Sequence, residues 1–491
     1  MNATAIVLAA GEGTRMKSRH AKVVHQVLGK PMIRWVVDAA LAAGCERVVV
    51  VVGSHADEVR TVLSDAYDHV DGIRVETVEQ TERLGTGHAV RVALEATGID
   101  AGPVVVLNGD LPLIQADTIA RFAASVAPAA PEAAAPGADA PQADTPAPAA
   151  PAAASLLTFT PPEPFGYGRV ELDESGALER IIEQKDCTPE QASTLLECNA
   201  GCYAFDGAQL SRHIGEIKND NAQGEYYLPD LLRILKDAGQ SVGIVHADDY
   251  RDGLGVNSRA QLAQLNAIAR DRVNARLMAE GVTFIDPTQA WIGPDCTIGR
   301  DTVVWPQTHL IGNSHVGEEC QLGPNSRLTN TRVGSACTID ETIAIDAVIE
   351  NGVDCGPRAY LRPGTHMLDG SKAGTSVEIK KSTVGRGSKV PHLSYIGDAT
   401  IGEDVNIGAA TITCNYDGRR KHPTVIGDNS FIGSDSIIVA PVHIGSNVIT
   451  GAASCITKDV PDGALAIERT EQRIIDGYTA RHRERLEREE R

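Results

Sequence analysis

Near the N-terminus the apolar residues fall in short runs, TAIVLAA at 4–10, RVVVVV at 47–52 and PVVVL at 103–107, without polar alternation. Such runs suit strands buried on both faces. Amphipathic stretches separate them. In PMIRWVVDAALAAG, residues Met32, Ile33, Val36, Val37, Ala40 and Leu41 share one helical face, which Pro31 opens and Gly44 closes. Strands alternating with helices predict an α/β parallel sheet.

The pattern changes twice further on. Residues 260–281 carry Leu262, Leu265, Ala269, Val273 and Leu277 at near-helical spacing and end in Gly281, which predicts a linking helix. From Ile292 an aliphatic recurs every six residues, at Ile298, Val304, Leu310, Val316, Leu322 and Leu328, and Gly follows four of these seven positions. Neither helix nor simple strand has that period. It fits a triangular parallel β-helix, each hexapeptide forming one flat side with its aliphatic in a narrow interior. The register then slips to Val333, Ile339 and Ile345 and returns later as Ile401, Ile407, Ile426, Ile432, Ile438 and Ile444.

Composition sharpens this division. Aromatics make up only 4% of the 491 residues, as an interior too narrow for rings requires. Residues 127–154 are almost entirely Ala, Pro and Gly with a few acids, and cannot bury enough side chain to offset ordering entropy. They read as a disordered insertion within the first domain, so removing 129–152 should change little. The expected organisation is a domain over 1–257 containing that insertion, a linker helix over 258–282, and the β-helix with a C-terminal tail over 283–491. A net charge of −20 argues against a nucleic-acid partner. There is no signal-like N-terminus and no apolar run of membrane-spanning length, and the ten cysteines are dispersed without metal spacing, which together read as a soluble cytoplasmic chain without a membrane partner.

Candidate chemistry lies at loops. LAAGEGTRM (8–16) follows the first strand, and its glycines let backbone N–H groups approach phosphate, with Arg15 and Lys22 as counter-charges. Taken bare, it reads equally well as an ordinary strand-to-helix turn. QTERLGTGHA (80–89) offers amides at a helix start, and Asp110 of VVVLNGD sits just past a strand, where a metal would be held in an open α/β sheet or a helix capped. In the β-helix, polar clusters that the repeat does not need occur at Arg362, at Glu378–Lys381, at His392–Asp398 and before Gly418.

With these motifs in view, the chain resembles the sugar-nucleotide pyrophosphorylases. More narrowly, it is similar to the bacterial bifunctional enzymes that join an N-acetylglucosamine-1-phosphate uridyltransferase to a glucosamine-1-phosphate acetyltransferase. That resemblance implies a Rossmann-like nucleotidyltransferase domain followed by a left-handed parallel β-helix. It implies that Leu8, Ala9, Ala10, Gly11, Gln80, Gly85 and Thr86 hold uracil and ribose and that Lys22 and Arg15 face phosphate. Asn108, Gly109 and Asp110 would lie at the nucleotide, Asp110 and Asn257 would bind Mg²⁺, and Gly168, Glu183 and Asn199 would contact N-acetylglucosamine. Asn108 stands where an aromatic is expected.

For the β-helix the resemblance implies that Arg362, Lys380, Tyr395 and Asn406 bind the sugar phosphate and that His392 is the general base, with Glu378 orienting it. Imidazole is the side chain suited to exchange a proton near neutral pH. Acetyl-CoA would contact Ala409, Asn415, Tyr416, Ser434, Ala452 and Arg469. Pro391 and Ala410 stand where Gly is expected. The substrates would be UTP, acetyl-CoA and glucosamine 1-phosphate. A homotrimer is expected, with NYDGRRKHP projecting so that Asn415 and Tyr416 complete a site whose His392 belongs to a neighbour. Two other readings stay open, a single-activity nucleotidyltransferase with an assembly or regulatory β-helix and a scaffold without catalysis. The Arg362, Lys380, His392 and Asn415 clusters weigh against the first, and Asp110 and Lys22 against the second.

Overall fold

The computed structural model describes residues 3–126, 152–221 and 223–491. Contacts divide the chain into two units, Met1–Ala269 and Arg270–Arg491, and the division falls inside the 21-residue helix Arg259–Ala279. Leu265, Ala269, Val273 and Leu277 of that helix are buried, as its spacing predicts.

The first unit is built on strands β1 (Ala3–Ala9), β2 (Cys45–Val52), β3 (Val75–Glu79), β4 (Pro103–Asn108), β5 (Ala154–Phe159), β6 (Arg169–Leu172), β7 (Leu178–Ile182), β8 (Cys198–Asp206) and β9 (Val242–His246). The main path runs β9-β5-β8-β4-β1-β2-β3, with β6 joined to β8 and β7. The three apolar runs of the sequence are β1, β2 and β4, side by side and parallel at the centre of the sheet. Helix α1 (Met32–Ala42) buries Met32, Ile33, Val36, Val37 and Ala40. Helices α2 (Ala56–Tyr67), α3 (Thr86–Thr97) and α4 (Ala116–Ala124) complete the covering used below.

Strand order positions the site. The chain leaves β1 for β2 and β3 on one side, then returns to β4 on the other side of β1. Loops leaving the carboxyl ends of β1 and β4 therefore diverge, which opens a crevice at this switch point. Nearby, β8 runs antiparallel to β4, β5 and β6, and its pairing with β5 shifts register between Asn199 and Tyr203. Such irregularities redirect side chains at the rim of a sheet.

The insertion expected over 127–154 needs correction at its end. The Ala152 N–H bonds Ser125 O at 3.1 Å, the Ala153 N–H bonds Ser241 O at 2.9 Å, and Ala154 opens β5. Alanine composition says nothing against a strand when the backbone donors find partners. Residues 127–151 lie outside the described residues.

The second unit has three flat sides formed by parallel sheets of 11, 10 and 9 short strands, a left-handed parallel β-helix. Ile292 pairs with Leu310 and Leu310 with Leu328, 18 residues apart, so three hexapeptides make one coil. The repeating aliphatics from Ile292 to Leu328 are all buried inside. Coil length then changes: Val316 pairs with Val333, 17 residues on, and Leu328 with Ala344, 16 residues on. Ala344, not Ile345, is the inward residue of its coil. Counting by six overshoots there because that side of the coil has five residues.

The corner after Ile407 has the same geometry in successive coils, with Ala410 at φ 61°, Asp435 at 60° and Ala453 at 60°. A Cβ in this left-handed region costs roughly 1 kcal/mol, of which glycine's greater unfolded freedom returns part. Ala410→Gly is therefore expected to stabilise the unit by about 0.5 kcal/mol, read as a higher midpoint in urea unfolding at unchanged slope. An unchanged or lower midpoint would mean that Ala410 carries no strain.

Candidate functional site

At the switch point the loops after β1 and β4 and the loop before α3 wall a cleft of about 990 Å³. Leu8, Ala9, Ala10 and Gly11 line it from the first loop, Gln80, Gly85 and Thr86 from the third, and Asn108 and Asp110 from the second. Lys22 and Asn257 complete the set. Gly109 stands behind this wall: its N–H bonds Leu8 O at 3.0 Å, and a Cβ there would meet that oxygen at 3.0 Å. Gln80 is buried, with its amide between Gly85 O at 3.1 Å and the His88 ring at 3.0 Å, which fixes the loop at the head of α3.

The charged end of the cleft is assembled from three distant segments. The Val256 N–H bonds Asp110 O at 3.0 Å and brings Asn257 beside Asp110. Between them lies the Lys22 ammonium, bonded to the Asp110 carboxylate and, at 3.2 Å, to Asn257 Oδ1. Arg15 donates to the same Asn257 oxygen at 2.8 Å. Asp110 thus caps no helix; one carboxylate and one amide oxygen are gathered around positive charge. Gly13 allows this approach, because at φ 60° its Cβ would stand 2.7 Å from Lys22 Cβ. The segment carrying Lys22 is anchored by Glu58 of α2, whose carboxylate accepts the Ala21 N–H at 2.7 Å and contacts the His20 ring. Those two bonds, the Ala21 N–H first, hold the Glu58 carboxyl below its ordinary pKa.

Gly168, Glu183 and Asn199 lie outside the lining of this cleft but come together at its antiparallel side. The Asn199 N–H bonds Gly168 O at 2.9 Å, and a Cβ on Gly168 would lie 3.5 Å from Glu183 Oε1. Asn199 Oδ1 also accepts the Gly201 N–H at 2.7 Å, and Gly201 O accepts the Asn108 amide at 3.1 Å. Asn108, where an aromatic was expected, is by this bond turned toward the β8 irregularity.

In the second unit the polar cluster runs down one flat side. Tyr360, Glu378, Tyr395 and Ile412 are consecutive partners across four strands of the 10-stranded sheet. Arg362 ion-pairs with Glu378 at 2.8 Å. Lys380 lies 3.9 Å from Asp398, which also accepts the Asn415 amide at 2.6 Å, while that amide reaches the Tyr395 hydroxyl at 3.4 Å. Gly397 makes this possible, since a Cβ there would fall 2.5 Å from both the Asn415 amide and the Tyr395 hydroxyl.

Three expectations change. Glu378 serves Arg362 and makes no hydrogen bond to His392, whose exposed ring has no partner among the described residues. Asn415 turns inward, 4% exposed, so of the two residues expected to project only Tyr416 does, at 56%. The reason is local: Tyr416 pairs with Lys421 and the Asp417 carboxylate holds Arg419, Arg420 and His422, so the loop closes on itself and leaves Asn415 at its base. Asn406 sits on a strand of the 11-stranded sheet beside Lys389, a different flat side from Arg362, Lys380 and Tyr395. One chain does not bring these together.

Ala409, Ser434, Ala452 and Arg469 form a ladder along an edge of the β-helix. The Asp435 N–H bonds Ala409 O at 2.7 Å, the Ala453 N–H bonds Ser434 O at 2.8 Å, and Arg469 reaches Ala452 O at 3.2 Å. His392 ends a strand at the same edge, where Ala410 N–H bonds its carbonyl. Pro391 is accommodated because Gly374 stacks on it, a Cβ on Gly374 falling 2.1 Å from Pro391 O.

The motif reading missed Glu12, Arg83, Glu225 and Tyr227, all of which line the first cleft. Glu225 and Tyr227 arrive through backbone bonds of Tyr226 to Leu84 and Gly87 and through the Leu228 N–H, which donates to the Thr86 hydroxyl. Paired tyrosines in a chain so poor in aromatics were the available signal.

Comparison with known proteins agrees with both halves. Residues 5–181 match the MobA-like NTP transferase domain, and residues 295–330 and 423–458 match the bacterial transferase hexapeptide (six repeats). The bifunctional protein GlmU of Heliobacterium modesticaldum is 44% identical over 478 residues, covering 97% of this chain and 98% of its own. Those of Streptomyces avermitilis and Streptomyces griseus are 44% and 45% identical over 483 residues, covering 98% of this chain and 95% of theirs. With similarity of this extent across both units, the chain belongs to the family of bifunctional GlmU proteins, enzymes that carry a nucleotidyltransferase and a hexapeptide-type acyltransferase in one polypeptide.

Proposed function

We propose that this chain makes UDP-N-acetylglucosamine in two steps. The amine of glucosamine 1-phosphate first attacks the thioester of acetyl-CoA, giving N-acetylglucosamine 1-phosphate and CoA. The phosphate oxygen of that product then attacks the α-phosphorus of UTP in line, and pyrophosphate leaves. The observation that carries this reading is the convergence of Lys22, Asp110 and Asn257 at the charged end of the switch-point cleft.

Both reactants of the second step are anions, so the residues' work is positioning and charge stabilisation. Leu8–Gly11 and Gln80–Thr86 take the nucleoside, Lys22 and Arg15 face phosphate oxygens, and Gly168, Glu183 and Asn199 orient the acetamido sugar. Asp110 and Asn257 would hold Mg²⁺: their two oxygens already surround a cation, and a small carboxylate count leaves room for phosphate ligands. When bound, the ion would offset charge on the phosphate oxygens. In the first step Arg362 and Lys380 hold the sugar phosphate with Tyr395 and Asn406, Asn415 braces Tyr395 and Asp398 from behind, His392 takes the amine proton, and Ala409, Tyr416, Ser434, Ala452 and Arg469 line the acetyl-CoA path.

The acetyl-transfer site is shared between copies in a homotrimer. Its residues lie on two flat sides of one chain, and both sides carry exposed apolar side chains, Ile343, Tyr360, Ile412 and Val439 on one and Phe431, Ile449 and Leu465 on the other. A cyclic trimer uses a heterologous contact, one side of a copy against the other side of the next. Seven of ten thiols are buried, and no described helix is long and apolar enough to cross a membrane, which supports work in the reducing cytoplasm.

Incubating the full chain with acetyl-CoA, glucosamine 1-phosphate, UTP and Mg²⁺ should yield UDP-N-acetylglucosamine, free thiol and pyrophosphate. Product formed only when N-acetylglucosamine 1-phosphate is supplied would refute acetyl transfer, and no pyrophosphate release in either case would refute the whole reading.

A further inference from the structure

The walls of the nucleotide cleft are poor in available positive charge. Its charged lining is Glu12, Asp110 and Glu225 against Lys22 and Arg83. Lys22 is engaged by Asp110 and Asn257, and Arg15 by Asn257. Arg83 is bonded to Glu12 across the cleft. Glu12 lies in the glycine loop after β1, where a carboxylate repels a polyanionic ligand, and Arg83 lies in the loop that carries Gln80 and Gly85. Both side chains are about half exposed, 45% for Arg83 and 51% for Glu12, so each is free to change partner.

We propose that Arg83 is a triphosphate-binding residue held in reserve by Glu12. On nucleotide arrival the guanidinium exchanges a carboxylate for phosphate oxygens, a planar fork matching either. The pair thereby sets the affinity of the cleft for the phosphates and joins the phosphate loop to the loop that holds the base. This inference rests on the nucleoside triphosphate reading of the cleft.

The charge logic gives opposite signs for the two partners. Arg83→Gln leaves Glu12 unopposed beside the phosphates, whereas Glu12→Gln removes the repulsion and frees Arg83. Equilibrium binding of UTP and of uridine to the full chain, in excess Mg²⁺ and without sugar phosphate, tests this. Arg83→Gln should weaken UTP roughly tenfold and Glu12→Gln tighten it about threefold, with uridine unchanged within about twofold. Both shifts should shrink in about 0.5 M salt, because the groups are solvent-exposed. Arg83→Lys, which keeps the charge, should bind UTP within about threefold of the parent. Unchanged melting temperatures would exclude misfolding as the cause. Shifts of the same sign, or equal losses for UTP and uridine, would overturn the inference while leaving the nucleotide reading intact. Failure of the parent chain to bind UTP at all would overturn both.

Discussion

Asp110→Ala is expected to lower uridylyl transfer about 10³-fold while acetyl transfer stays within about twofold of the parent. The carboxylate is the anionic member of the Lys22–Asp110–Asn257 set, and its loss leaves the ammonium held by one amide oxygen at 3.2 Å. Two effects would add: the proposed metal site reduced to a neutral donor, and a lysine no longer fixed toward the proposed phosphate position. The acetyl-transfer residues lie in the other unit and share no partner with Asp110. Pyrophosphate release from UTP and N-acetylglucosamine 1-phosphate measures the first activity, and thiol release from acetyl-CoA measures the second. A folded variant that loses both equally would contradict the assignment of separate sites.

The second large effect is complementation between inactive subunits. Lys380→Ala and Asn406→Ala should each depress acetyl transfer roughly 10²-fold, as loss of substrate-positioning contacts does. The two residues occupy different flat sides of the β-helix, so in a head-to-tail trimer a site pairs Lys380 of one chain with Asn406 of the next. Coexpressed in equal amounts, the variants should form intact sites at about a quarter of interfaces, recovering about a quarter of parental activity. Recovery confined to the background of either variant, with mixing proven by differential tags, would mean that each chain builds its own site. Asn415 is not the residue to use, because its amide is buried against Asp398 and Tyr395 of its own chain.

Much of this architecture was legible before any coordinates. Unalternated apolar runs marked β1, β2 and β4 because a central parallel strand is covered on both faces, and the strict six-residue recurrence could hardly mean anything but a solenoid. Reading failed where geometry departs from the period. In IAIDAVI the bulkier Ile345 attracts assignment to the interior, yet a five-residue side turns Ala344 inward. It failed again at Asn415, since composition describes NYDGRRKHP as polar without revealing that Asp417 folds the loop on itself. Loop motifs led to Lys22 and Asp110 and the family resemblance to Asn257, but Glu12 and Arg83 become partners only when two loops face each other, which no spacing along the chain encodes.

Each coil of the second unit bonds only to the coil before and the coil after. Its stability is accordingly a sum of nearest-neighbour steps, and opening proceeds like a zipper from either end. His392 ends the seventh of eleven strands on its side, whereas Ala452 and Arg469 follow the tenth and eleventh. Thermal fraying at the C-terminal end therefore reaches the ladder of Ala452 and Arg469 first. As temperature rises, the proposed grip on acetyl-CoA should fade while His392, the proposed proton acceptor, still stands on intact coils.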